Sequence, residues 1–252
     1  MDDTLQFTVS PDFPPDRLSG WFVFNTWLQR QLGCSVHLEM YDGFSAQRAA
    51  VADGHVDLIY ANPFDATELV RHRGFVPVAR PQGKSDEVVI ISRASSAQDA
   101  IEALQPGVRV ACTTDPDVRQ IGLILLEPAN LTPADLTLID TDKHLLSAKQ
   151  LLKGEADVAF LLADAYDGFS KLLREQTQVL VRSAIRDIHH ALLAGPRLTA
   201  RAAELQQKLV AMGDSATDRQ LLGELDFPAW EALETEDVEF MIDVIDTLRA
   251  GA

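Results

Sequence analysis

The stretch DGHVDLIYANPFDA, Asp53 to Ala66, decides how the chain is read. Val56 to Tyr60 is an apolar, strand-like run, and it stops at Asn62-Pro63-Phe64-Asp65. Proline lacks an N–H and pushes its predecessor away from helix, so the Asn-Pro pair ends the strand in a turn before a new helical pattern begins. Such a turn belongs to the carboxyl end of a sheet, the edge where open α/β proteins hold their ligands.

Working outward, the same unit occurs twice. SAQRAAVADGHVDLIYANPFDA is matched by SAKQLLKGEADVAFLLADAY, with Gly54 to Tyr60 one hundred residues before Gly154 to Phe160. Each copy has a helix, a glycine stop, an Asp and an apolar strand. Before the first copy, Leu5–Val9 reads as a strand, and the three prolines of SPDFPPD exclude helix and central strand. A helix from Arg17 to Leu32 follows, with Trp21, Phe24, Leu28 and Leu32 on one face, and then a strand from Val36 to Met40. Ser45 is the expected N-cap of the next helix. Before the second copy, a strand at Val108–Thr113, a helix at Asp117–Leu126 and a strand at Leu136–Ile139 repeat that order.

The expected fold is therefore α/β, two similar α/β lobes joined by a double-stranded hinge. Lobe 1 is expected to hold residues 1–84 and 188–252, and lobe 2 residues 85–187. The strand Glu87–Ser92 carries the chain across, and Thr177–Gly195 carries it back. Beyond Pro196 the pattern reads as wholly helical, Ala200–Met212 and Glu236–Leu248, with these helices packed on lobe 1.

Composition narrows the function. Of 252 residues 46% are hydrophobic and 24% charged, enough for a real core, and no run reaches the length of a membrane span, so the chain is not expected to be membrane-embedded. A formal charge of −16 argues against nucleic acid, whose binders need clustered Lys and Arg. Cys34 and Cys112 have no partners at metal-ligand spacing and read as small buried hydrophobes, so neither metal nor cofactor is expected. The start MDDTLQFTVS has no basic segment followed by an apolar one. Two readings stay open: a cytoplasmic protein if Met1 is the native start, or an exported one whose leader has been removed.

The Pro-rich first loop, GHVDLIYANPFDA and KHLLSAKQLLKGEADVAFL together carry a family likeness. The chain resembles the substrate-binding proteins of phosphate, phosphite and phosphonate ABC transporters, which have the type II periplasmic binding protein fold. His144 stands ten residues before Gly154, as that family's pattern requires. The resemblance implies a non-catalytic, monomeric solute-binding protein that closes two lobes over a small polar or oxyanionic ligand, phosphonate- or phosphate-like. It also implies an ABC permease as partner and a periplasmic location. Two positions depart from the family. A Ser-Thr-Ser-Gly run that binds phosphonate oxygens is replaced by Thr113-Thr114-Asp115-Pro116-Asp117, and Lys143 stands where a Ser usually precedes His144.

The candidate ligand-binding residues are Ser10, Asp12 and Phe13 in the first loop, Phe44 after the second strand, Asn62 and Phe64 in the opening turn, and Thr113, Thr114, Arg119, Lys143 and His144 in lobe 2. Each has a plainer reading: Ser10 and Asp12 as caps, Asn62 and Asp65 as turn formers, Arg119 as partner of Asp115 or Asp117. Asp164 and Tyr166 are further cleft candidates, and His189 and His190 are expected to alternate, one inside and one outside. Two other functions stay open. One is an enzyme on the same fold, chorismate dehydratase-like or thiamine-pyrimidine-synthase-like, although no G-x-S-x-G, HExxH, CxxC or Walker loop is present. The other is a binding module that regulates a partner protein through the acidic segment EALETEDVEF.

Overall fold

The computed structural model describes residues 4–97 and 99–251. The chain divides into two compact units, lobe 1 (Met1–Lys84 with His189–Ile242) and lobe 2 (Ser85–Ile188 with Asp243–Ala252). Lobe 1 begins with β1 (Leu5–Val9), α1 (Leu18–Leu32), β2 (Val36–Glu39), α2 (Phe44–Ala52), β3 (Leu58–Ala61) and β4 (Val76–Pro81). Lobe 2 follows with β5 (Val88–Arg93), β6 (Val108–Cys112), α3 (Pro116–Ile124), β7 (Leu136–Asp140), α4 (His144–Lys153), β8 (Val158–Leu162), α5 (Ala163–Asp167), α6 (Lys171–Glu175) and β9 (Thr177–Arg182). The chain then returns to lobe 1 with β10 (Ala191–Ala194), α7 (Ala202–Val210), α8 (Ala216–Leu225) and β11 (Trp230–Ala232), and ends with α9 (Thr235–Gly251).

The two sheets have one plan. In lobe 1 the order is β11-β4-β10-β3-β1-β2, with β2, β1 and β3 parallel and β10 antiparallel beside β3. In lobe 2 it is β7-β6-β8-β5-β9, with β7, β6 and β8 parallel and β5 antiparallel beside β8. In each lobe the strand that has crossed from the other part of the chain therefore occupies the same place, and the two-lobe α/β architecture with paired crossing segments stands as expected.

The repeat persists down to single hydrogen bonds. Gly54 and Gly154 both adopt left-handed φ, +73° and +77°, a conformation that costs a residue with a Cβ. Behind each, the same pair of helix-closing bonds forms: Gly54 N to Val51 O and His55 N to Ala50 O in one copy, Gly154 N to Leu151 O and Glu155 N to Gln150 O in the other. Asp57 and Asp157 then anchor the strand that follows. Each accepts a backbone N–H of the first strand, from Gln6 at 2.8 Å and from Arg109 at 2.9 Å.

Cores differ where the folds agree. Lobe 1 is aromatic, with Phe7, Trp21, Phe24, Trp27, Tyr60 and Trp230 buried together. Lobe 2 is built from smaller residues, Ala111, Ala148, Leu151, Ala159 and Leu161, closed by Tyr166. There α3 comes so near β8 that a Cβ on Gly122 would lie 2.3 Å from the Phe160 ring.

Four local expectations change. Ser45 is not the N-cap of α2, which starts at Phe44 with Gly43 in that position, because the turn Tyr41-Asp42-Gly43 enters the helix two residues earlier. The segment beyond Pro196 is not wholly helical: α8 lies in the supposed connection, and Trp230–Ala232 pairs antiparallel with β4 as an edge strand. Tyr166 is core rather than cleft. Cys112 is buried but Cys34 only half-buried. The helices α7 and α8 pack on lobe 1 against α1 and β4. Along α9, Glu239 pairs with Arg71 of lobe 1, and the Leu248 carbonyl accepts from Gln120 of lobe 2 at 3.5 Å. Among the described residues no helix is long and apolar enough to cross a membrane.

Candidate functional site

In lobe 1 the carboxyl ends of β1, β2 and β3 lie on one edge because the three strands are parallel, and antiparallel register Ala191↔Ala61 brings the start of β10 to that same edge. Ser10, Asp12 and Asn62 are thereby gathered with His190. The Asp12 carboxylate is buried and takes a hydrogen bond from Asn62 Nδ2 at 2.7 Å, with His190 Nε2 at 3.2 Å from both oxygens. Burial by itself pushes the Asp12 carboxyl up, but the His190 charge and hydrogen bonds from His190 and Asn62 outweigh it and hold the pKa below the ordinary value of 3.8. Asp12 is therefore an anion at neutral pH, set against His190.

Asn62 also shapes the turn: its Oδ1 accepts the Phe64 N–H at 2.9 Å and caps the short 3-10 helix Pro63–Asp65. Phe64 is buried beneath that turn, and Phe13 packs partly buried against the lobe 1 core. Phe44 opens α2 and lies under the Arg48 guanidinium, 5.2 Å from ring centroid to Cζ. The α2 start itself has no side-chain cap, because Gly43 offers none.

Lobe 2 repeats the edge with other residues. Thr113 follows β6, buried, and its hydroxyl donates to Asp115 at 2.6 Å. Arg119, one turn into α3, donates Nε–H to the Thr113 carbonyl at 2.9 Å and a terminal N–H to Asp140 at 2.5 Å. His144, the first residue of α4, has its Nε2 3.6 Å from Asp115. Thr114 and Lys143 are exposed beside them. Asp115 occupies the N-cap position of α3 without a capping bond, and Pro116 removes one of the helix's leading N–H groups. Lys143 is the N-cap residue of α4, again with no side-chain cap, so the leading N–H groups of α4 are left to other partners.

Of the candidates, Asp12 and Asn62 are bonded to each other, and Thr113, Arg119 and His144 form a second group around Asp115. Sequence reasoning missed His190. It expected His189 and His190 to alternate between inside and outside, yet both turn inward: His189 is buried, and His190 stacks on Tyr60 at 5.2 Å while facing Asp12. The two do not alternate because they lie before β10 begins rather than in it. Gln47 was also missed, a buried side chain on α2 that donates to Thr8 Oγ1 and the Val9 carbonyl at 3.1 and 2.9 Å and so fixes the end of β1. Among the described residues no three His, Cys, Asp or Glu side chains are grouped to hold a metal ion.

The model of one family, ABC transporter, phosphonate, periplasmic substrate-binding protein, matches residues 7–238. A search of curated proteins by sequence finds no match. Among solved structures, PhnD1 from Prochlorococcus marinus (MIT 9301), in complex with methylphosphonate, superposes with a TM-score of 0.81 at 12% identity over 99% of each chain. A binding protein component of an ABC phosphonate transporter from Pseudomonas aeruginosa gives 0.73 at 15% identity, over 94% of this chain and 84% of that one. The periplasmic aliphatic sulphonate binding protein SsuA from Escherichia coli gives 0.71 at 14% identity, over 100% and 88%. These likenesses concern the fold, whereas the family model runs through both groups of candidate residues. The chain belongs to the phosphonate ABC transporter periplasmic substrate-binding protein family.

Proposed function

We propose that this member of the family is a non-catalytic receptor for a small phosphonate-like or other oxyanionic solute, which it delivers to an ABC permease, with the ligand's acidic group taken by the start of α4. The observation that carries this reading is the start of α4 at Lys143, which is not closed by its own side chain. Leading N–H groups and the helix dipole favour an anion there. Lys143 adds positive charge to the α4 start. The α3 start is the poorer anion site, since Asp115 and Asp117 bring negative charge and Pro116 removes a donor. That distribution shifts the anion away from the position where the family resemblance put it.

The test is a thermal-shift series against methylphosphonate, phosphite, phosphate and short aliphatic sulfonates. A ligand at about 100 times its Kd adds about 2.7 kcal/mol to the folded state, a visible rise in Tm. The expected result is a rise with at least one oxyanion, abolished in Lys143→Asp and retained in Thr114→Ala. No rise across the panel, or a rise indifferent to Lys143→Asp, overturns the assignment.

A further inference from the structure

Lobe 1 contains a cavity of about 290 Å³ that the ligand edge does not use. It opens between α2 and the helical turn Thr67–His72, which has the wide π geometry, and its floor is carbon: Val51, Ile59 and Leu69. The rim is charged, yet its charges are matched in pairs, Arg48 Nε to Asp65 at 2.6 Å and Arg73 Nε to Glu68 at 2.7 Å. Gln47, also at the wall, spends its amide N–H groups inward on Thr8 and Val9. An ordered water needs two to four polar partners, which this floor does not offer.

The internal repeat supplies a control. One hundred residues on, the positions of Arg48, Val51 and Ile59 are held by Ala148, Leu151 and Ala159, and these belong to one packed cluster with Tyr166, against which Phe169 also packs. Tyr166 and Phe169 correspond to Ala66 and Leu69. Where lobe 2 inserts two aromatic rings over its helix, lobe 1 has smaller side chains and an opening. The volume is about twice that of an apolar cavity known to take up benzene. It is too narrow for a helix, whose diameter is about 10 Å with side chains.

We propose that the lobe 1 cavity beneath Arg48 and Arg73 binds a single-ring aromatic molecule, the class of group that Tyr166 and Phe169 provide from within the chain in lobe 2. The ring lies on Val51, Ile59 and Leu69, and any polar substituent stays at the mouth among the four charged side chains. This site is separate from the ligand edge, since its lining includes none of Ser10, Asp12, Asn62 or His190.

The experiment is a titration of the intact protein, methyl-labelled for NMR, with phenol and then toluene. The expected result is saturable shifts of the Val51, Ile59 and Leu69 methyl signals at or below about 1 mM, with the two probes competing. The shifts are expected to be unchanged by prior addition of methylphosphonate, so this site and the oxyanion reading stand or fall independently. Leu69→Phe, which fills the space as Phe169 does in lobe 2, and Val51→Phe are each expected to weaken binding at least tenfold with Tm unchanged or raised. Should either variant fail to fold, wild-type crystals under xenon decide: xenon in the cavity supports the site, and none there overturns it. Shifts that do not saturate, that scatter over the molecule, or that persist undiminished in folded variants also overturn it.

Discussion

Asp57 and Asp157, one hundred residues apart, hold their lobes by the same reciprocal clasp. Each accepts the N–H of a first-strand residue, and its own N–H donates back to that residue's carbonyl: Asp57 with Gln6 at 2.8 Å both ways, Asp157 with Arg109 at 2.9 Å both ways. Each also pairs with an arginine, Asp57 with Arg197 at 2.9 Å and Asp157 with Arg109 at 2.7 Å. Their surroundings differ, since the Asp57 side chain is 4% exposed and the Asp157 side chain 30%. Asp57→Ala leaves the Gln6 N–H without its acceptor and empties a nearly buried site, and is expected to cost about 2–3 kcal/mol. Asp157→Ala, where water replaces the lost acceptor, is expected to cost nearer 1 kcal/mol. Urea unfolding of the two variants measures the difference, and equal costs would contradict it.

Asp12 makes stability depend on acid. Its pKa is depressed in the folded state, burial being outweighed by His190 and the neighbouring donors. A group depressed on folding contributes stability that is complete above its unfolded value, here near 3.8, and lost as pH falls through the lower folded value. Asp12→Asn is therefore expected to be less stable than wild type at pH 7, with the gap narrowing as pH drops below about 4. Thermal melts from pH 7 to pH 3 check the sign; a gap that widens in acid is the contrary result.

Glu87 is the corresponding knot in lobe 2. Its carboxylate takes the Ser183 hydroxyl, the Ile185 N–H at 3.1 Å and the Arg186 N–H at 2.7 Å, so the two crossing segments are tied side by side. Burial raises the Glu87 pKa, and these bonds more than compensate and lower it. Glu87→Ala is expected to speed amide exchange at Ile185 and Arg186 by at least tenfold while leaving the β6–β8 amides unchanged. Uniform loss of protection would mean the knot supports the whole lobe.

How much of this was legible in the residues depends on range. The strand Leu58–Ala61, its Asn-Pro stop and the glycines Gly54 and Gly154 follow from neighbours within a few positions, and the repeat makes each copy a check on the other. The meeting of Asp12 with His190 does not, because the residues are 178 positions apart and the register of β10 against β3 decides it. Trp230-Glu231-Ala232 has no alternation long enough to announce a strand; pairing with Pro81–Ala79 makes it one. Asn62 was read as a ligand donor or a turn former, and its side chain both accepts the Phe64 N–H of the turn and donates to Asp12.

Gly122 was invisible for a different reason. A glycine inside a helical pattern looks like a weak helix former, but here it gives the Phe160 ring its place. Gly122→Ala is expected to destabilise by about 1–3 kcal/mol through overpacking. Adding Phe160→Leu is expected to recover part of that loss, measurable as a double-mutant cycle; additive costs would refute the contact.

The place of β10 in its sheet has a consequence for synthesis. It stands between β3 and β4, so those two strands lack the neighbour that joins them until residues 191–194 arrive. On a translating ribosome the first 84 residues emerge with a gap in the middle of their sheet, whereas most of lobe 2 emerges as one uninterrupted run. Lobe 2 is thus the part able to fold first, and the earliest residues made are among the last to complete their partners. A chain stalled before residue 191 would present two unfinished strand edges to the cell, a nascent species for chaperones rather than a half-built receptor.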